Sequence, residues 1–563
     1  MSQNNNENTD SKVTDKTVIE QQSNLDIAVK DKTEDLLDMN NYRIEHLPVR
    51  VKSGFEKVLE ISGIPMAVLV FLFILFIADI PYLSGIDPSI LGAKALAQYN
   101  TLGADEFSQI NISMLAIFIA AIILWITEAI PNYLTSLLVI IAIVLTGVTP
   151  EREAYAQLGH PVMWLNILSF ILASMLVKTS AAKRFALWFI VRFGHNATSV
   201  FFSFIFINIV LSMFISATTA KATILLPIFM VVAAVFGAEG TKHKNNFGRN
   251  LVLQNLFQIN ISAGMFITGS GANLLAGALI AGAIADMNDF SFYTWMEAAF
   301  LLAFINIFIG WFVGTKIIFR IPKEEAVPQI EGGLKRLKEE LENMGPIKFE
   351  EVKATAIFIC VLAGWVLDTY HGVSKTAIAF IGAIVAMMPV IGVVKWNDVD
   401  IPWHLLLFSA GAYTLGAGFK STDLPNISVD ALFDSMGFGA DTPFWVLYLI
   451  LTAGMIFSAL VFQSKTMRTL VFVPIAIGTA QKFGYPILSL ALPVALLIEH
   501  VYALPFNSKP AALLYVTDQY SWSDTFKFGT TMLIIGWIMI IIWGETWLRW
   551  LGYTPNGVFG IFP

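Results

Sequence analysis

Two related segments, Ala217-Thr-Thr-Ala-Lys-Ala-Thr-Ile-Leu-Leu-Pro227 and Ser464-Lys-Thr-Met-Arg-Thr-Leu-Val-Phe-Val-Pro474, place hydroxyls and cations in the middle of long apolar stretches. Lipid hydrocarbon tolerates neither group unless it is enclosed by protein or faces a watery cavity. Aligned on their prolines, the segments share a threonine (Thr219, Thr466) and, two residues on, a basic residue (Lys221, Arg468). A duplication of this kind predicts an internal repeat, with one polar, anion-attracting tip in each half.

The surroundings set the medium. The 563-residue chain is 56% hydrophobic and 14% charged, with a mean hydropathy of +0.68, which places it among polytopic membrane proteins rather than soluble domains. Its 44 Phe, 39 Gly and 14 Trp suit packed membrane helices and their interfacial belts. The lone cysteine, Cys360, permits no intrachain disulfide and reads as a small buried hydrophobe.

Residues 1–50 are rich in Asn, Asp, Glu, Lys and Ser, and predict a disordered cytoplasmic tail. The tail has no secretory cleavage pattern, so the first apolar run, Ile64 to Ile80, reads as a retained anchor. A hydrocarbon core of about 30 Å needs about 20 apolar residues per helix. That length predicts about eleven spans, near 62–83, 112–129, 131–148, 162–180, 250–285, 298–319, 353–368, 376–394, 403–418, 486–516 and 527–550. The two stretches that carry the opening motifs, 199–236 and 443–480, read as re-entrant hairpins, because a polar centre is allowed only where protein encloses it.

Basic residues near the span ends set the orientation. Arg43, Arg50, Lys52 and Lys57 precede the first span, Lys183, Arg184 and Arg192 lie in the loop after the fourth, and Lys242, Lys244 and Arg249 precede the fifth. Lys316, Arg320, Lys323, Lys335, Arg336 and Lys338 follow the sixth. Assigning these loops to the cytoplasm of a plasma membrane puts the N-terminus inside and the C-terminus outside. The expected organisation is a tail (1–50), a first half (51–321), a charged cytoplasmic linker (322–350) with a helix at Gly333 to Met344, and a second half (351–563).

Downstream of each hairpin the apolar run is interrupted, by Thr268-Gly-Ser-Gly-Ala-Asn273 in 250–285 and by Pro505-Phe-Asn-Ser-Lys-Pro-Ala511 in 486–516. Interrupted helices at matching places in two halves point to a transporter site at the bilayer midplane. There, half-helix ends and unwound amides face the ion. One Gly-Ser-Gly alone would be ordinary close packing; matched pairs are not.

Trp125-Ile-Thr-Glu-Ala-Ile-Pro131 resembles the early signature of the divalent anion:sodium symporter family. Gly159-His-Pro-Val-Met-Trp164, Lys183-Arg-Phe-Ala186, Trp403-His-Leu-Leu-Leu-Phe-Ser-Ala-Gly411 and Leu504-Pro-Phe agree with it, so the likeness runs from about Ile110 to Leu551. The resemblance implies an all-α, inverted-repeat, elevator-type homodimer that carries dicarboxylates, citrate or sulfate. Its hairpin tips read Ser-Asn-Thr and its broken helices resemble Thr-Pro-Pro-Asn, together holding two sodium ions and the anion. Those motifs fall here on Ala217-Thr218-Thr219 and Ser464-Lys465-Thr466, and on Ser270-Gly271-Ala272-Asn273 and Ser508-Lys509-Pro510-Ala511. The expected anion-binding set is therefore Thr218, Thr219, Ser270, Asn273, Ser464, Lys465, Thr466, Asn507 and Ser508.

The departures from the family pattern bear on coupling. Lys465 stands where the family has an asparagine, Ala511 replaces another, and Lys509 adds an ammonium. A like charge at 4 Å costs about 4 kcal/mol at an effective dielectric of 20, so sodium is opposed at the second tip. Lys221, Lys465, Arg468 and Lys509 read as fixed substitutes for bound cations. For Lys221 and Arg468 the alternatives are snorkelling from a hairpin arm or an internal ion pair.

Sodium-independent exchange is the leading expectation, since an empty carrier that retains buried cations crosses reluctantly. Proton coupling through Glu499 and His500, with Glu128 beside Pro131, is the second, and sodium coupling remains a further one. No metal ligand set, cofactor motif or nucleic-acid partner is expected: the seven histidines are scattered, and the chain lacks His-Glu-x-x-His, a phosphate-cradling loop and a nucleophile elbow. An enzyme is disfavoured on those grounds, and a channel because matched interruptions describe a closed site. His160 and His404, each near a tryptophan, read as interfacial residues.

Overall fold

The computed structural model describes residues 38–39 and 54–561, apart from 239, 241–243, 285–289, 331–332, 400, 436, 438, 440–441, 463, 506 and 555. The expectation for the 1–50 tail, apart from residues 38–39, and those resting on His46, Lys52, Lys242, His243 and Phe506, lie outside the described residues. All regular structure among the described residues is helical.

Helices of the first half are α1 (Gly54–Phe76), α2 (Ala104–Thr127), α3 (Asn132–Leu145), α4 (Pro161–Lys178), α5 (Ala181–Phe193), α6 (Ala197–Phe214), α7 (Thr218–Val235), α8 (Asn246–Gly264), α9 (Gly271–Ala283) and α10 (Phe292–Phe312). A charged helix, α11 (Gly333–Asn343), follows. The second half holds α12 (Phe349–Val366), α13 (Lys375–Met387), α14 (Trp403–Thr422), α15 (Leu424–Ser435), α16 (Phe444–Phe457), α17 (Lys465–Lys482), α18 (Ile487–Leu496), α19 (Lys509–Tyr515) and α20 (Trp522–Glu545).

Six helical stretches among the described residues are long and apolar enough to cross a bilayer: 57–76, 104–127, 151–178, 218–235, 292–318 and 522–550. Several expected spans come out shorter. Thus α3 has 14 residues and α13 has 13, or about 20 Å at 1.5 Å per residue. The sequence pattern counts apolar residues in flanking turns as part of a span, whereas the helix stops at its Pro, Gly or Thr.

Two differences from the sequence reading have clear causes. The basic segment after α4 is helical: α5 buries Ala182, Ala186, Leu187 and Ile190, while Lys183 and Arg184 pair with Glu340 and Glu351 and Arg192 is exposed. Cys360 is exposed on α12 rather than buried. Its neighbours Phe358 and Val361 take the inward positions of that turn.

Short polar locks join the linker to both halves. Glu325 accepts hydrogen bonds from the amides of Asn246 (2.7 Å) and Phe247 (3.1 Å), satisfying first-turn donors of α8. Arg184 of α5 makes a bidentate pair with Glu351 of α12 (2.6 and 3.0 Å) and donates to the Gly345 carbonyl. Charges across the halves also pair, Lys244 with Asp518 at 2.6 Å and Arg249 with Asp524 at 3.2 Å.

The helices around the polar motifs interlock. Hairpin arms α6 and α7 pack on α8, and α17 packs on α18. The second piece of each broken helix then crosses over, α9 lying on α17 of the other half and α19 on α7. Around this body, α1 packs along α2, α3 along α14 and α4 along α13.

Glycine permits the first break. A Cβ on Gly269 would lie 2.1 Å from the Ala263 carbonyl oxygen, which is backbone and cannot yield. Gly269→Ala is expected to destabilise the protein by about 1–3 kcal/mol. The check is a lower midpoint in detergent thermal unfolding than for Gly416→Ala, whose Cβ would meet only Leu279 Cδ2 at an ordinary 3.6 Å.

Candidate functional site

The two hairpin tips and the two helix breaks meet at one cavity of about 570 Å³. Its lining includes Ser216, Thr218 and Thr219 from the first tip, Ser464, Lys465 and Thr466 from the second, Ser270 from the first break, and Asn507, Ser508 and Lys509 from the second. The opposite wall comes from Glu60 of α1, the Glu128 to Tyr133 turn, Asn166 of α4, and His404 and Ser409 of α14.

The breaks are built alike. Ser270 and Ser508 have nearly the same backbone angles, φ −156° with ψ 157° and 159°. Each serine oxygen accepts from the amide three residues on, Asn273 at 3.2 Å and Ala511 at 3.3 Å, capping the helix that starts there. Helices α7 and α17 also begin at the cavity, at Thr218 and Lys465, and no side chain caps either. Their first-turn N–H groups and positive dipole ends therefore remain available to an anion.

Asparagines hold the unwound backbone. Asn273 donates to the Ala263 (3.0 Å) and Phe266 (3.1 Å) carbonyls, closing the first break on itself. It is fully buried and is not among the residues lining the cavity, and its side-chain oxygen has no hydrogen-bond partner among the described residues. Asn507 accepts from the Leu504 amide at 2.6 Å and donates to the Ala459 carbonyl of the second hairpin at 2.5 Å.

Lys221 and Arg468 neither snorkel nor reach the cavity. Lys221 is fully buried and donates to Ser212 of the facing arm (2.6 Å) and to the Ile259 carbonyl of α8 (3.0 Å). Arg468, equally buried, donates to Ser458 at 2.9 Å and to the Ile498 and His500 carbonyls at 3.2 Å each, and also bonds the Met455 carbonyl. Each cation thus ties a hairpin arm to the broken helix behind it, at corresponding places in the two halves. Lys221 and Arg468, which the sequence offers as substitutes for bound cations at the tips, are instead enclosed by hydroxyl and carbonyl oxygens of neighbouring elements.

Lys465 does reach the cavity, and it is paired. Its ammonium lies 2.7 Å from Glu499, whose other oxygen accepts from Ser270 of the first half. Lys509 is exposed to the cavity, 3.4 Å from the His404 ring. His404, read from sequence as interfacial, thus belongs to the cavity wall. His160 stacks on Tyr413 at 5.0 Å. His500 faces away from the cavity toward Asn306, 3.4 Å off, and borders a separate void of about 20 Å³ with Glu499.

The sequence reading missed Asn166, Ser216 and Ser409, single polar residues in apolar helices or turns that carry no motif. The Asn166 amide nitrogen and the Ser216 hydroxyl are buried with no hydrogen-bond partner among the described residues. Unpaired donors in a cavity wall are uncommon unless a ligand meets them. The Trp125–Pro131 signature forms the turn opposite, with Glu128 in the left-handed region (φ 49°) and the Trp125 indole donating to the Asn132 carbonyl at 3.3 Å.

Helix N-termini, hydroxyls, amides and two ammonium groups around one cavity, in an apolar polytopic chain, define a membrane transporter for small anions. Residues 104–554 match the sodium:sulfate symporter transmembrane region, and the chain belongs to that family, the divalent anion:sodium symporters. It is 24% identical over 464 residues to the sodium-dependent dicarboxylate transporter SdcS of Staphylococcus saprophyticus, covering 77% of this chain and 87% of that one. It is 27% identical over 291 residues to the putative malate transporter YflS of Bacillus subtilis, covering 51% and 58%. The chloroplastic dicarboxylate transporter 1 of Arabidopsis thaliana is 28% identical over 313 residues, 54% of each chain. These are transporters, not enzymes.

Removing Arg468 leaves several buried carbonyls without a donor, which costs about 1–3 kcal/mol for each group that finds no replacement. Arg468→Met is expected to unfold at a clearly lower temperature in detergent. Arg468→Lys recovers only part of the loss, since one ammonium cannot span Met455, Ser458, Ile498 and His500.

Proposed function

We propose that this protein exchanges small divalent anions, dicarboxylates first among them, across the membrane without sodium. Thr218, Thr219, Ser464, Lys465, Thr466, Ser270, Asn507 and Ser508, with Asn166 and Ser216, hold the anion; Asn273 shapes the site from behind. The body of hairpins and broken helices moves as an elevator against the surrounding helices. About eleven spans, a cytoplasmic N-terminus, an external C-terminus and a homodimer in the plasma membrane complete the reading.

The observation that carries it is the Lys465 ammonium at the second tip. Relatives named as dicarboxylate or malate transporters support the substrate class. SdcS is named sodium-dependent; at the second tip this chain has Lys465 where the family motif that it resembles has an asparagine. A sodium ion 4 Å from an unpaired ammonium loses about 4 kcal/mol at an effective dielectric of 20; Glu499, 2.7 Å from Lys465, offsets part of that repulsion. Fixed cations that travel with the empty body oppose its return, and a bound anion offsets them. Proton coupling through His500 draws less support, because the imidazole faces Asn306 rather than the cavity.

Purified protein in liposomes tests the reading, with labelled malate outside and malate, succinate, citrate, sulfate or chloride inside. Fast uptake is expected only into vesicles loaded with a divalent anion, and at the same rate in sodium, potassium or choline. Accumulation in empty vesicles that requires a sodium gradient would overturn it.

A further inference from the structure

The polar bonds near the cavity are of two kinds. Lys465 with Glu499, Glu499 with Ser270, Lys221 with Ser212 and the Ile259 carbonyl, and Arg468 with Ser458 and the Ile498 and His500 carbonyls all run between hairpins and broken helices. They lie within the body and travel with it. Lys509 is different. It opens α19, which packs on α7 and α8 of the body, yet its ammonium lies 3.4 Å from the His404 ring of α14 on the other wall. Helix α14 packs on α2, α3 and α4, which surround the body. Movement of the body against those helices, as proposed above, has to break this contact.

The start of α19 does not account for Lys509. Ser508 caps the helix through the Ala511 amide, and Pro510 stands in the first turn, where its missing N–H costs nothing. A cation in that turn is opposed by the helix dipole. Lys509 and His404 are both exposed and both line the cavity, so an anion at the N-termini of α7 and α17 can meet the ammonium. A carboxylate or sulfate oxygen is charged, and it accepts from an ammonium in preference to the nitrogen of a neutral imidazole.

We infer that Lys509 and His404 form a latch that makes the carrier wait for its anion: in the empty protein the ammonium ties the body to α14, and a bound anion draws the ammonium to itself and frees the body to cross. The inference rests on the exchange reading above and adds to it a bond, besides charge, that holds the empty body back. A ligand shifts an equilibrium only by its differential affinity for the two states. Here the anion gains Lys509 only once the latch has opened, so occupancy favours release.

Labelled succinate efflux from liposomes tests this at pH 8, where an imidazole with the ordinary pKa of about 6.5 is neutral. Potassium and valinomycin hold the membrane potential near zero. Efflux is measured into medium with succinate, which reports exchange, and into medium without a divalent anion, which reports net movement. The ratio is read within each variant, so a change in overall rate cancels. Wild-type protein is expected to show net efflux as a small fraction of exchange. His404→Phe leaves every charge of the body in place and removes the acceptor of the latch. It is expected to raise the ratio of net efflux to exchange on the order of tenfold. Lys509→Gln is expected to raise it as well.

An unchanged ratio in His404→Phe, with exchange retained, overturns the inference and leaves the exchange reading standing; a rise in Lys509→Gln alone has the same meaning, because charge without a latch then holds the empty body. Folded His404→Phe protein that no longer exchanges also overturns it. His404→Leu serves where His404→Phe does not elute as a single species in size exclusion. Wild-type net efflux as fast as exchange, or no exchange of succinate, malate or sulfate, overturns the functional reading and this inference with it.

Discussion

An interrupted helix inside a membrane has to find partners for the backbone groups it frees, and the rest of this structure follows from how that is done. Each unpaired carbonyl or amide in an apolar medium costs several kcal/mol. Asn273 closes one break on the Ala263 and Phe266 carbonyls, and Asn507 fixes the other against the second hairpin. Lys221 and Arg468 take the carbonyls behind them. These donors are supplied across elements, so hairpins and broken helices form one body held by polar bonds. The same solution leaves helix N-termini pointing together, and that convergence makes the site.

Much of this was legible because the medium is so apolar. A threonine, lysine or Gly-Ser-Gly in such surroundings is conspicuous, and its repetition at matched places marks the tips and breaks in the sequence itself. Partner choice was not legible. Lys465 and Glu499 are 34 residues apart and Ser270 and Glu499 are 229 apart, and no periodicity reports such pairs. Lys221 and Arg468 were conspicuous for the same reason as Lys465, yet they turn to carbonyls instead of the cavity. The difference is register: Lys465 opens its helix at the tip, whereas Lys221 and Arg468 lie one turn in, over the broken helix.

Helix limits are less legible. Apolar composition continues through turns, so spans inferred from it run long, as at α3 and α13. In the sequence of amphipathic α5 the basic residues outweigh a narrow buried stripe, which hides the helix. Cys360 failed differently: an apolar helix in a membrane protein offers two apolar environments, packed core and protein surface, and composition does not tell them apart.

The symmetry of the repeat and the asymmetry of its charges have different consequences. The paired serine caps and paired buried cations serve the backbone, which is the same problem in both halves, and so they match. At the cavity the halves differ. The first tip offers neutral donors, Ser216, Thr218 and Thr219, while the second offers Lys465 held by Glu499. A symmetric pair of neutral tips would need mobile cations to hold a dianion in a low-dielectric body. On the exchange reading proposed above, the Lys465–Glu499 pair stands in the place of a mobile cation at the second tip. On that reading coupling is decided by the residues at the tips, apart from the bonds that hold the breaks.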